Sequence, residues 1–387
     1  MKVLFITHCT TMGGANQSML QLIKELKTKY NVDIDVIIPK DNNREATNSI
    51  ITYLNKENIQ YITTRFNWFK SPNNQGKYIK FKNVIRFFIN WIINYPILLY
   101  KLKHKKYDIV HSNASVIDIG VYISFLKGAK HVWHLREFGD WDFNLISNIG
   151  NWYNKFIYNT CSNLIAISQI IKTRYMEYVT SEKIEIIYNG ISLDKYNKSA
   201  IHNNNILQFC CCGNVHPSKN QLEILKATDI LVNEMGIKDF KINIIGYDST
   251  QYKQKLLKFI DENKINNYVV FHGMIKNIPE ILEKMDVGLM VSNNEAFGRV
   301  TIEYMFQNLC VIANDSGANR EIINSKEIGI IYPKGNFQVL AEKMKYLIVN
   351  KKAMLSMANK ANHYARSNFN SNLNSKKIYE YYIKILN

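Results

Sequence analysis

The segment that decides the fold runs from residue 287 to residue 307. It reads Val287-Gly288-Leu289-Met290-Val291, then Ser292-Asn293-Asn294-Glu295-Ala296-Phe297-Gly298-Arg299-Val300-Thr301-Ile302-Glu303, then Tyr304-Met305-Phe306-Gln307. The apolar run at the start is typical of a buried strand, and the last four residues continue a helical pattern. The segment therefore predicts a strand, a polar loop and the start of a helix.

The same order of strand and helix recurs along the whole chain. Short apolar or β-branched runs predict the strands Val3–Thr7, Val32–Pro39, Ile109–His111, Val132–Leu135, Leu164–Ser168, Ile184–Tyr188, Ile206–Cys212, Ile242–Ile245, Val269–His272, Val287–Val291, Cys310–Ala313 and Ile328–Tyr332. Longer amphipathic stretches such as Gln17–Lys27 and Leu222–Asn233 separate them. Alternating strands and helices favour right-handed βαβ units, so we expect an α/β fold with doubly wound, mostly parallel sheets.

The strand pattern stops and restarts near the middle of the chain. Residues 194–205 are polar, rich in Asn, Lys and Ser, and carry no strand pattern. A chain of 387 residues is long enough for two domains, each with its own core. We therefore predict a linker at 194–205, a first Rossmann-like domain over residues 1–195 and a second over residues 204–365. Ligands of such domains bind at the carboxyl ends of the strands.

The composition is that of a globular protein with an excess of basic side chains. Hydrophobic residues make up 47% and charged residues 21%, which excludes a disordered or low-complexity chain. The net charge of +17 suits a polyanionic partner: nucleic acid, an anionic membrane surface or a phosphorylated substrate. The six cysteines form no C-x-x-C pair, and a strand pattern stands where a signal peptide would be, so we expect a cytoplasmic protein.

Two glutamates of the quoted segment flank seven residues. Glu303 lies in the early helix, where its carboxylate can accept both hydroxyls of a ribose, and Glu295 can reach sugar hydroxyls on the other side of a diphosphate. Between them, Gly298 to Thr301 would open the helix and offer unpaired N–H groups to phosphate oxygens. One nucleotide-sugar accounts for both spacings. The alternative is a pair of ordinary surface glutamates.

Three further loops follow predicted strands. Gly13 and Gly14 precede a helix, where a ligand could approach the backbone closely; the alternative is a tight turn. His134 and Arg136 end an apolar strand, and a lone histidine there could equally be a hydrogen-bonded structural residue. Lys219 follows the first strand of the second domain and is placed to meet a diphosphate, although a solvated lysine in a polar turn is the alternative.

These residues together resemble a known family. The segment from Glu295 to Glu303, with Phe297-Gly298 inside it, is similar to the signature of retaining glycosyltransferases of family 4, which have the GT-B fold. Other matching residues, in the order that the family shows, are Gly13-Gly14, His134, Tyr188-Asn189-Gly190-Ile191 and Lys219. The resemblance spans nearly the whole chain.

The resemblance implies an architecture and a site. The two domains would face each other across a cleft, and residues 366–387 would form a helix that crosses back onto the first domain. Glu303 would bind the donor ribose and Glu295 the donor sugar. Lys219 would neutralise the diphosphate, and His134 would hydrogen-bond the sugar near the reacting centre, so His134 and Glu295 are the catalytic candidates. The remaining donor-binding candidates are Gly13, Gly14, Asn214, His272, Gly273, Met274, Phe297, Gly298, Arg299, Val300 and Thr301.

One position departs from the family pattern. Members commonly have an arginine five residues before the lysine, and Asn214 stands there in this chain. The clamp on the diphosphate is then one charge short unless Arg299 or Arg320 compensates. The resemblance also implies retention without a protein nucleophile, no cofactor and no metal, even though Asp140-Trp141-Asp142 is a D-x-D triplet.

The positive charge is concentrated in residues 51–106. This segment holds eleven lysines and arginines and a single acidic residue, Glu57, interleaved with the large aromatics Phe66, Trp68, Phe69, Phe81, Phe87, Phe88, Trp91 and Tyr95. Such a mixture suits an anionic membrane surface. The alternative is a solvated basic face over ordinary core aromatics. No nucleic-acid-reading motif accompanies the charge, so we expect no nucleic acid partner.

The sequence thus predicts a retaining glycosyltransferase at the inner face of a bacterial cell membrane. It would move a sugar from a nucleotide-diphosphate-sugar, with UDP as the preferred nucleotide, to a glycan acceptor that is lipid-linked, in the synthesis of capsule or exopolysaccharide. Two alternatives stay open: a nucleotide-sugar 2-epimerase and a non-catalytic GT-B partner subunit.

Overall fold

The computed structural model describes residues 1–40, 49–161, 163–196, 206–248 and 250–387. The chain divides into two compact units. The first comprises Met1–Gly190 together with Ser371–Asn387, and the second comprises Ile191–Asn370. Each unit is built on its own parallel sheet with helices, so the predicted α/β class is confirmed. Most of the predicted linker, residues 197–205, lies outside the described residues.

The described residues of the first unit form nine strands. They are β1 (Lys2–Ile6), β2 (Asp33–Pro39), β3 (Gln60–Thr64), β4 (Lys70–Pro72), β5 (Ile109–Ser112), β6 (Lys130–Leu135), β7 (Leu145–Ser147), β8 (Asn163–Ala166) and β9 (Ile184–Ile186). Seven of them form a parallel sheet in the order β3-β2-β1-β5-β6-β8-β9, and β4 pairs with β7 in a separate antiparallel ladder. The inner strand β1 is apolar on both faces because helices cover both sides of a parallel sheet.

In the part of residues 1–190 that the structure describes, eight α-helices accompany these strands. They are α1 (Gly14–Tyr30), α2 (Ile50–Lys56), α3 (Lys77–Ile89), α4 (Tyr95–Lys101), α5 (Ile119–Lys127), α6 (Asp140–Phe143), α7 (Asn151–Thr160) and α8 (Gln169–Tyr175). A π-helical segment, Asn90–Asn94, joins α3 to α4. The helix predicted at Gln17–Lys27 is the centre of α1. The strands β3, β4 and β7 were not predicted, because they are short and mix polar with apolar residues.

The second unit has a six-stranded parallel sheet. Its strands are β10 (Leu207–Cys212), β11 (Phe240–Ile245), β12 (Val269–Gly273), β13 (Val287–Met290), β14 (Cys310–Asn314) and β15 (Ile330–Tyr332), in the order β12-β11-β10-β13-β14-β15. Its helices are α9 (Gln221–Asp229), α10 (Thr250–Glu262), α11 (Ile278–Leu282), α12 (Arg299–Phe306), α13 (Asn319–Ile322), α14 (Phe337–Val349) and α15 (Lys351–Asn368). The helix predicted at Leu222–Asn233 is α9 continued by a π-helical segment, Ile230–Glu234.

The last helix, α16 (Ser371–Leu386), packs in the first unit. The Tyr379 ring stacks on that of Tyr30 at the end of α1, with 4.3 Å between ring centroids. Ser371 donates a hydrogen bond to Glu25 at 2.9 Å, and the Asn374 amide donates one to the Tyr188 carbonyl at 2.6 Å. The crossover segment was predicted to begin at residue 366, but residues 366–370 belong to the second unit. In the described residues, no helix combines the length and the apolar character that crossing a membrane requires.

A buried glycine sets the distance between β13 and α12. A Cβ atom at Gly288 would lie 2.2 Å from Cδ2 of Tyr304, so only glycine lets the helix approach the strand this closely. The Tyr304 ring is fully buried, and its hydroxyl accepts the N–H of Cys212 at the end of β10, at 2.6 Å. One side chain therefore connects α12 to both strands from which the site loops emerge.

We expect Gly288→Ala to displace Tyr304 and to lower the free energy of unfolding by about 1–3 kcal/mol, as overpacked cores usually do. Urea denaturation followed by circular dichroism measures the change. Gly76→Ala is the matched control, because a Cβ there meets nothing within 4 Å and the backbone φ is −61°. Equal stability of the two variants would contradict the proposed packing constraint.

Candidate active site

The lysine loop follows β10 in the second unit. Gly213, with φ +143°, lets the chain turn away from the strand. A short 3-10 turn, Pro217–Lys219, then leads into α9. The half-buried Lys219 ammonium lies 3.2 Å from Oε2 of Glu295, so the structure brings these two predicted site residues into an ion pair.

The glutamate loop follows β13, the strand beside β10 in the sheet. Oε1 of Glu295 accepts the backbone N–H of Gly298 at 3.2 Å. Gly298 has φ +80° and precedes the first residue of α12, so the helix begins where the sequence predicted. Gly298, the residue before α12, has no side chain with which to cap the helix. The N–H groups of a first helical turn have no intrahelical acceptor, so this end of α12 suits an anion.

Two hydrogen bonds tie the lysine loop to the glutamate loop. The backbone N–H of Asn293 donates to the Ser218 carbonyl at 2.9 Å, and its side-chain amide donates to the Pro217 carbonyl at 3.2 Å. Both acceptors immediately precede Lys219 in the chain. The ammonium and the Glu295 carboxylate are therefore held together by the backbone as well as by their charges.

The backbone of Glu295 lies directly against a second glycine, Gly317. Gly317 has φ +57°, and a Cβ atom there would lie 2.1 Å from the Glu295 carbonyl oxygen. The next residue, Ala318, donates its N–H to that oxygen at 2.8 Å. The loop after β14 thus fixes the backbone of Glu295, a contact that the sequence analysis missed because Gly317 lies outside the glutamate segment.

Glu303 lies one turn into α12 and forms an ion pair with Arg299. Nε of Arg299 is 2.9 Å from Oε1 of Glu303, and the carboxylate is mostly buried. Burial, followed by the negative charge of Glu303, raises the pKa of the Tyr196 hydroxyl well above its usual value. Thr301 is buried in the same turn, and its hydroxyl has no partner within the described chain. Val300, between Arg299 and Thr301 in the chain, is half-buried. The buried ring of Phe297 packs on the Phe369 ring, with 6.0 Å between ring centroids.

The loops after β11 and β12 complete this edge of the second sheet. The N–H of Gly246 donates to the Gly273 carbonyl at 2.9 Å, and a Cβ at Gly246 would lie 2.0 Å from the Gly213 carbonyl oxygen. The His272 ring is partly exposed, and its Nε2 is 2.8 Å from Oδ1 of Asn243. Met274 is well exposed.

The departure at Asn214 is not offset by an unpaired arginine. Asn214 is exposed, and its carbonyl accepts the Gln221 side chain at 3.0 Å. Arg299 is paired with Glu303, as described above. Arg320 Nη2 lies 3.2 Å from Asp315 Oδ2. Both arginines that could compensate are thus engaged by carboxylates in this structure.

The glycine loop of the first unit is shaped by a buried asparagine. The amide of Asn16 donates to the carbonyls of Cys9 at 3.0 Å and Thr11 at 2.8 Å, which curls the loop after β1. A Cβ atom at Gly13 or Gly14 would meet nothing within 4 Å. Neither glycine is required by packing in this structure, and Gly13 has the ordinary φ of −78°.

His134 lies at the end of β6, deep in the first unit and fully buried. Its Nδ1 is 3.1 Å from Nε2 of His111 and 3.3 Å from Nη2 of Arg136. Arg136 in turn donates its Nε–H to Asn113 at 2.7 Å and a second N–H to Asn189. The Asn113 amide also donates to the Ala15 carbonyl at 3.2 Å, which connects the His134 cluster to the glycine loop.

The predicted site residues thus form two groups. Lys219, Glu295, Gly298, Arg299 and Glu303 come together at the carboxyl edge of the second sheet. The loop of Gly13 and Gly14 and His134 lie at the carboxyl edge of the first sheet. Among the residues that the structure describes, no group of three or more His, Cys, Asp or Glu side chains is arranged to hold a metal ion.

Two family models match the chain. The model described as Glycosyltransferase Family 4 matches residues 12–195, and the model described as Glycosyl transferases group 1 matches residues 194–367. The chain belongs to the family 4 glycosyltransferases. This glycosyltransferase is 24% identical over 283 residues to an uncharacterised glycosyltransferase of Methanocaldococcus jannaschii, over 72% of this chain and 76% of that protein. It is 26% identical over 241 residues to the capsular polysaccharide biosynthesis glycosyltransferase CapM of Staphylococcus aureus, over 57% of this chain and 60% of that protein.

Solved structures share the fold of this glycosyltransferase along its length. Anabaena HepE, crystallised in complex with UDP, superposes with a TM-score of 0.78 at 19% identity, covering 98% of this chain and 99% of that one. A glycosyltransferase of Rickettsia africae superposes with a TM-score of 0.79 at 20% identity, covering 100% of this chain and 98% of that one. These likenesses confirm the predicted GT-B fold.

Most of the residues around His134 and Arg136 in this glycosyltransferase could not be predicted from the sequence. His111, Asn113, Asn189 and Tyr382 surround His134 and Arg136, although they come from distant parts of the chain. Asn189 belongs to the Tyr188–Ile191 segment that the family resemblance had marked, so one signal was present. The other three carry no local motif.

We expect Gly317→Ala to displace Glu295 and to reduce glycosyl transfer, because the new Cβ would collide with the Glu295 carbonyl. Initial rates and thermal unfolding of the variant measure the two effects. Gly335→Ala is the matched control, since Gly335 also has a positive φ (+79°) but open space around it. Strain of the left-handed backbone costs both variants about 1–2 kcal/mol. Only Gly317→Ala should lose additional stability and activity, and indistinguishable variants would refute the contact.

Proposed function

We propose that this enzyme transfers a sugar, with retention of anomeric configuration, from a UDP-sugar to a lipid-linked glycan acceptor. The observation that carries the proposal is the cluster at the edge of the second sheet. There Lys219 pairs with Glu295, Gly298 leads into the start of α12, and Glu303 lies one turn further along that helix, an arrangement that would suit a diphosphate between two sugars. The role in capsule or exopolysaccharide synthesis is part of the proposal, and the likeness to CapM supports it.

The charges of the cluster fit a diphosphate. When the leaving group departs, negative charge develops on the nucleotide diphosphate and positive charge on the anomeric carbon. Lys219 and the N–H groups at the start of α12 would stabilise that negative charge, and preorganised groups of this kind often supply the largest catalytic contribution. We propose that these groups, rather than a metal ion or another cofactor, neutralise the diphosphate.

The two glutamates would hold the ends of the same ligand. Glu303 would accept the ribose hydroxyls, and Glu295 the hydroxyls of the transferred sugar. Because Glu295 already accepts bonds from Lys219 and Gly298, it is a poor nucleophile. We therefore propose that the departing phosphate takes the acceptor's proton on the same face of the sugar, and that His134 hydrogen-bonds the sugar near the reacting carbon.

Uracil is the base that we propose, since Anabaena HepE was crystallised with UDP and with UDP-glucose. The loop of His272, Gly273 and Met274 would lie beside the base, with backbone groups as its hydrogen-bonding partners. Asn214 would contact the diphosphate as a neutral group. The open space above Gly13 and Gly14 would admit the ligand to the backbone of the first unit.

We expect Lys219→Ala and Glu303→Ala to weaken UDP binding by about 10- to 100-fold, the usual effect of losing a charge-assisted hydrogen bond. Isothermal titration with UDP and several UDP-sugars measures it. Lys226→Ala, on α9 beyond the loop, removes the same charge and should bind normally. UDP affinity of the wild-type magnitude in Lys219→Ala would refute the diphosphate contact. Donor consumed without an acceptor would indicate the epimerase, and no donor consumption at all would indicate a partner subunit.

The basic-aromatic surface of α3 and α4 is the proposed site of membrane contact. Four aromatics of residues 51–106 are buried: Phe66, Phe69, Phe87 and Tyr95. For these four the alternative interpretation, ordinary core aromatics under a solvated basic face, is correct. Phe81 and Phe88 are instead exposed, as are Tyr78, Ile85, Ile92, Ile93, Ile97 and Tyr100 on the same helical stretch. Exposed apolar side chains among lysines and arginines suit the interface of an anionic bilayer. We propose that the enzyme binds the inner leaflet peripherally through this surface.

We expect neutralising Lys77, Lys80, Lys82 and Arg86 to glutamine to reduce binding to phosphatidylglycerol-containing vesicles on the order of a thousandfold, at about 1 kcal/mol for each basic side chain near the surface. Vesicle co-sedimentation at physiological salt measures it. The control variant changes Lys343, Lys345, Lys351 and Lys352, which lie on α14 and α15 in the second unit, and so has the same net charge. Equal binding of the two variants would reject the proposed surface.

A further inference from the structure

A chain of hydrogen bonds runs through the core of the first unit to His134. The Tyr382 hydroxyl of α16 lies 2.6 Å from Nδ1 of His111 on β5. Nε2 of His111 lies 3.1 Å from Nδ1 of His134 on β6. Nη2 of Arg136 approaches the same Nδ1 at 3.3 Å. These four side chains are buried, so water does not compete for their hydrogen bonds.

The arginine favours one direction of this chain, although its contact with His134 is the longest of the three. A guanidinium can only donate, so Nδ1 of His134 accepts from it and from His111 and carries no proton while the chain is intact. The proton of neutral His134 is then on Nε2. His111 must donate its Nε2–H to His134, and its Nδ1 must accept from the Tyr382 hydroxyl. If the proton of His134 were on Nδ1 instead, that N–H group would point at the guanidinium of Arg136, which cannot accept a hydrogen bond.

Both histidines are neutral in this environment. Burial, followed by the positive charge of Arg136, lowers the pKa of His134 and of His111 well below the usual value. The other titratable groups facing the pair are each other's rings, His131 on β6 and the Tyr382 hydroxyl, whose pKa burial raises. No carboxylate in the described chain bonds either ring to favour an imidazolium.

The far nitrogen of His134 has no partner. Nε2 is buried and has no hydrogen-bond partner among the described residues. With the proton on Nε2, this atom is an unmatched donor in the ligand-free protein. A buried donor without an acceptor is costly, and such groups in native proteins often await a ligand.

We propose that His111 and Tyr382 are positioning residues that lock His134 as its Nε2–H tautomer, so that His134 donates a hydrogen bond to an oxygen of the transferred sugar and does not act as a base. The inference rests on the proposed function, because the sugar oxygen is the acceptor it requires. In this arrangement α16 contributes to sugar transfer through one group, the Tyr382 hydroxyl.

Tyr382→Phe removes that hydroxyl and little else. Nδ1 of His111 would then have no donor, so nothing would prevent His111 from moving its proton to Nδ1. Its Nε2 would then be an acceptor facing the acceptor Nδ1 of His134. Only the longer contact from Arg136 would hold the His134 tautomer. Tyr381→Phe is the matched control, since it removes a hydroxyl one residue earlier on the same helix.

Long-range ¹H–¹⁵N correlation spectra of the full-length protein labelled with ¹⁵N-histidine measure the tautomer directly. We expect wild-type His134 to be neutral, with a protonated Nε2 and an unprotonated Nδ1. In Tyr382→Phe we expect mixed tautomer signals for His134 and His111. His131, whose ring is bonded instead to Ser112 and Cys161, should be unchanged and serves as the internal reference. A wild-type His134 that is an imidazolium or carries its proton on Nδ1 overturns the proposal.

Steady-state kinetics with the UDP-sugar test the consequence. We expect Tyr382→Phe to lower kcat about 3- to 10-fold, the usual effect of losing one hydrogen bond, with UDP affinity unchanged. His111→Gln, which keeps an N–H group facing His134, should retain more activity than His111→Leu. A fall in kcat with the His134 tautomer unchanged would reveal a merely structural role and overturn the proposal.

The outcomes also separate this inference from the proposed function. If the tautomer changes in Tyr382→Phe but kcat does not, the lock exists and the proposed role of the His134 hydrogen bond in turnover is overturned. If the wild-type protein neither binds UDP nor transfers sugar, the proposed function fails, and the acceptor that the inference requires fails with it. The spectra still report the tautomer in that case.

Discussion

The close approach of α12 to β13 at Gly288 is the constraint on which the second unit's site depends. Because no Cβ stands between them, the Tyr304 ring fits against the strand and its hydroxyl reaches Cys212 at the end of β10. The lysine loop leaves β10 and the glutamate loop leaves β13. The buried Tyr304 ring therefore sets the separation of the two loops, and the hydrogen bonds of Asn293 hold the loops to each other.

Within that frame the charges of the site are balanced before any ligand arrives. Lys219 pairs with Glu295, and Arg299 pairs with Glu303. Each glutamate thus holds a cation in place, which limits the reorganisation needed when an anion binds. The cost is that a ligand must compete with these pairs, and partly exposed ion pairs of this kind are weak enough to allow it.

The sequence predicted what is local and missed what is long-range. Strands with continuous apolar runs, such as β1 and β13, were found because burial on both faces leaves a clear pattern, whereas the half-polar β3 was not. The Glu295–Glu303 segment could be predicted because its residues share one loop and one helix. The surroundings of His134 could not, since Tyr382 reaches His111, and Asn189 reaches Arg136, only through the folded topology. Tertiary packing likewise decides which aromatics of residues 51–106 are buried.

The membership of α16 in the first unit has a consequence for how the protein is made. Ile378 and Tyr382 fill the same core as the buried faces of β1 and α1, so the first unit is assembled from both ends of the chain. A ribosome delivers all of residues 191–370 before it delivers α16. The core of the first unit therefore cannot close until α16 has been made, long after the strands of that core, and the unit remains an open intermediate during that interval.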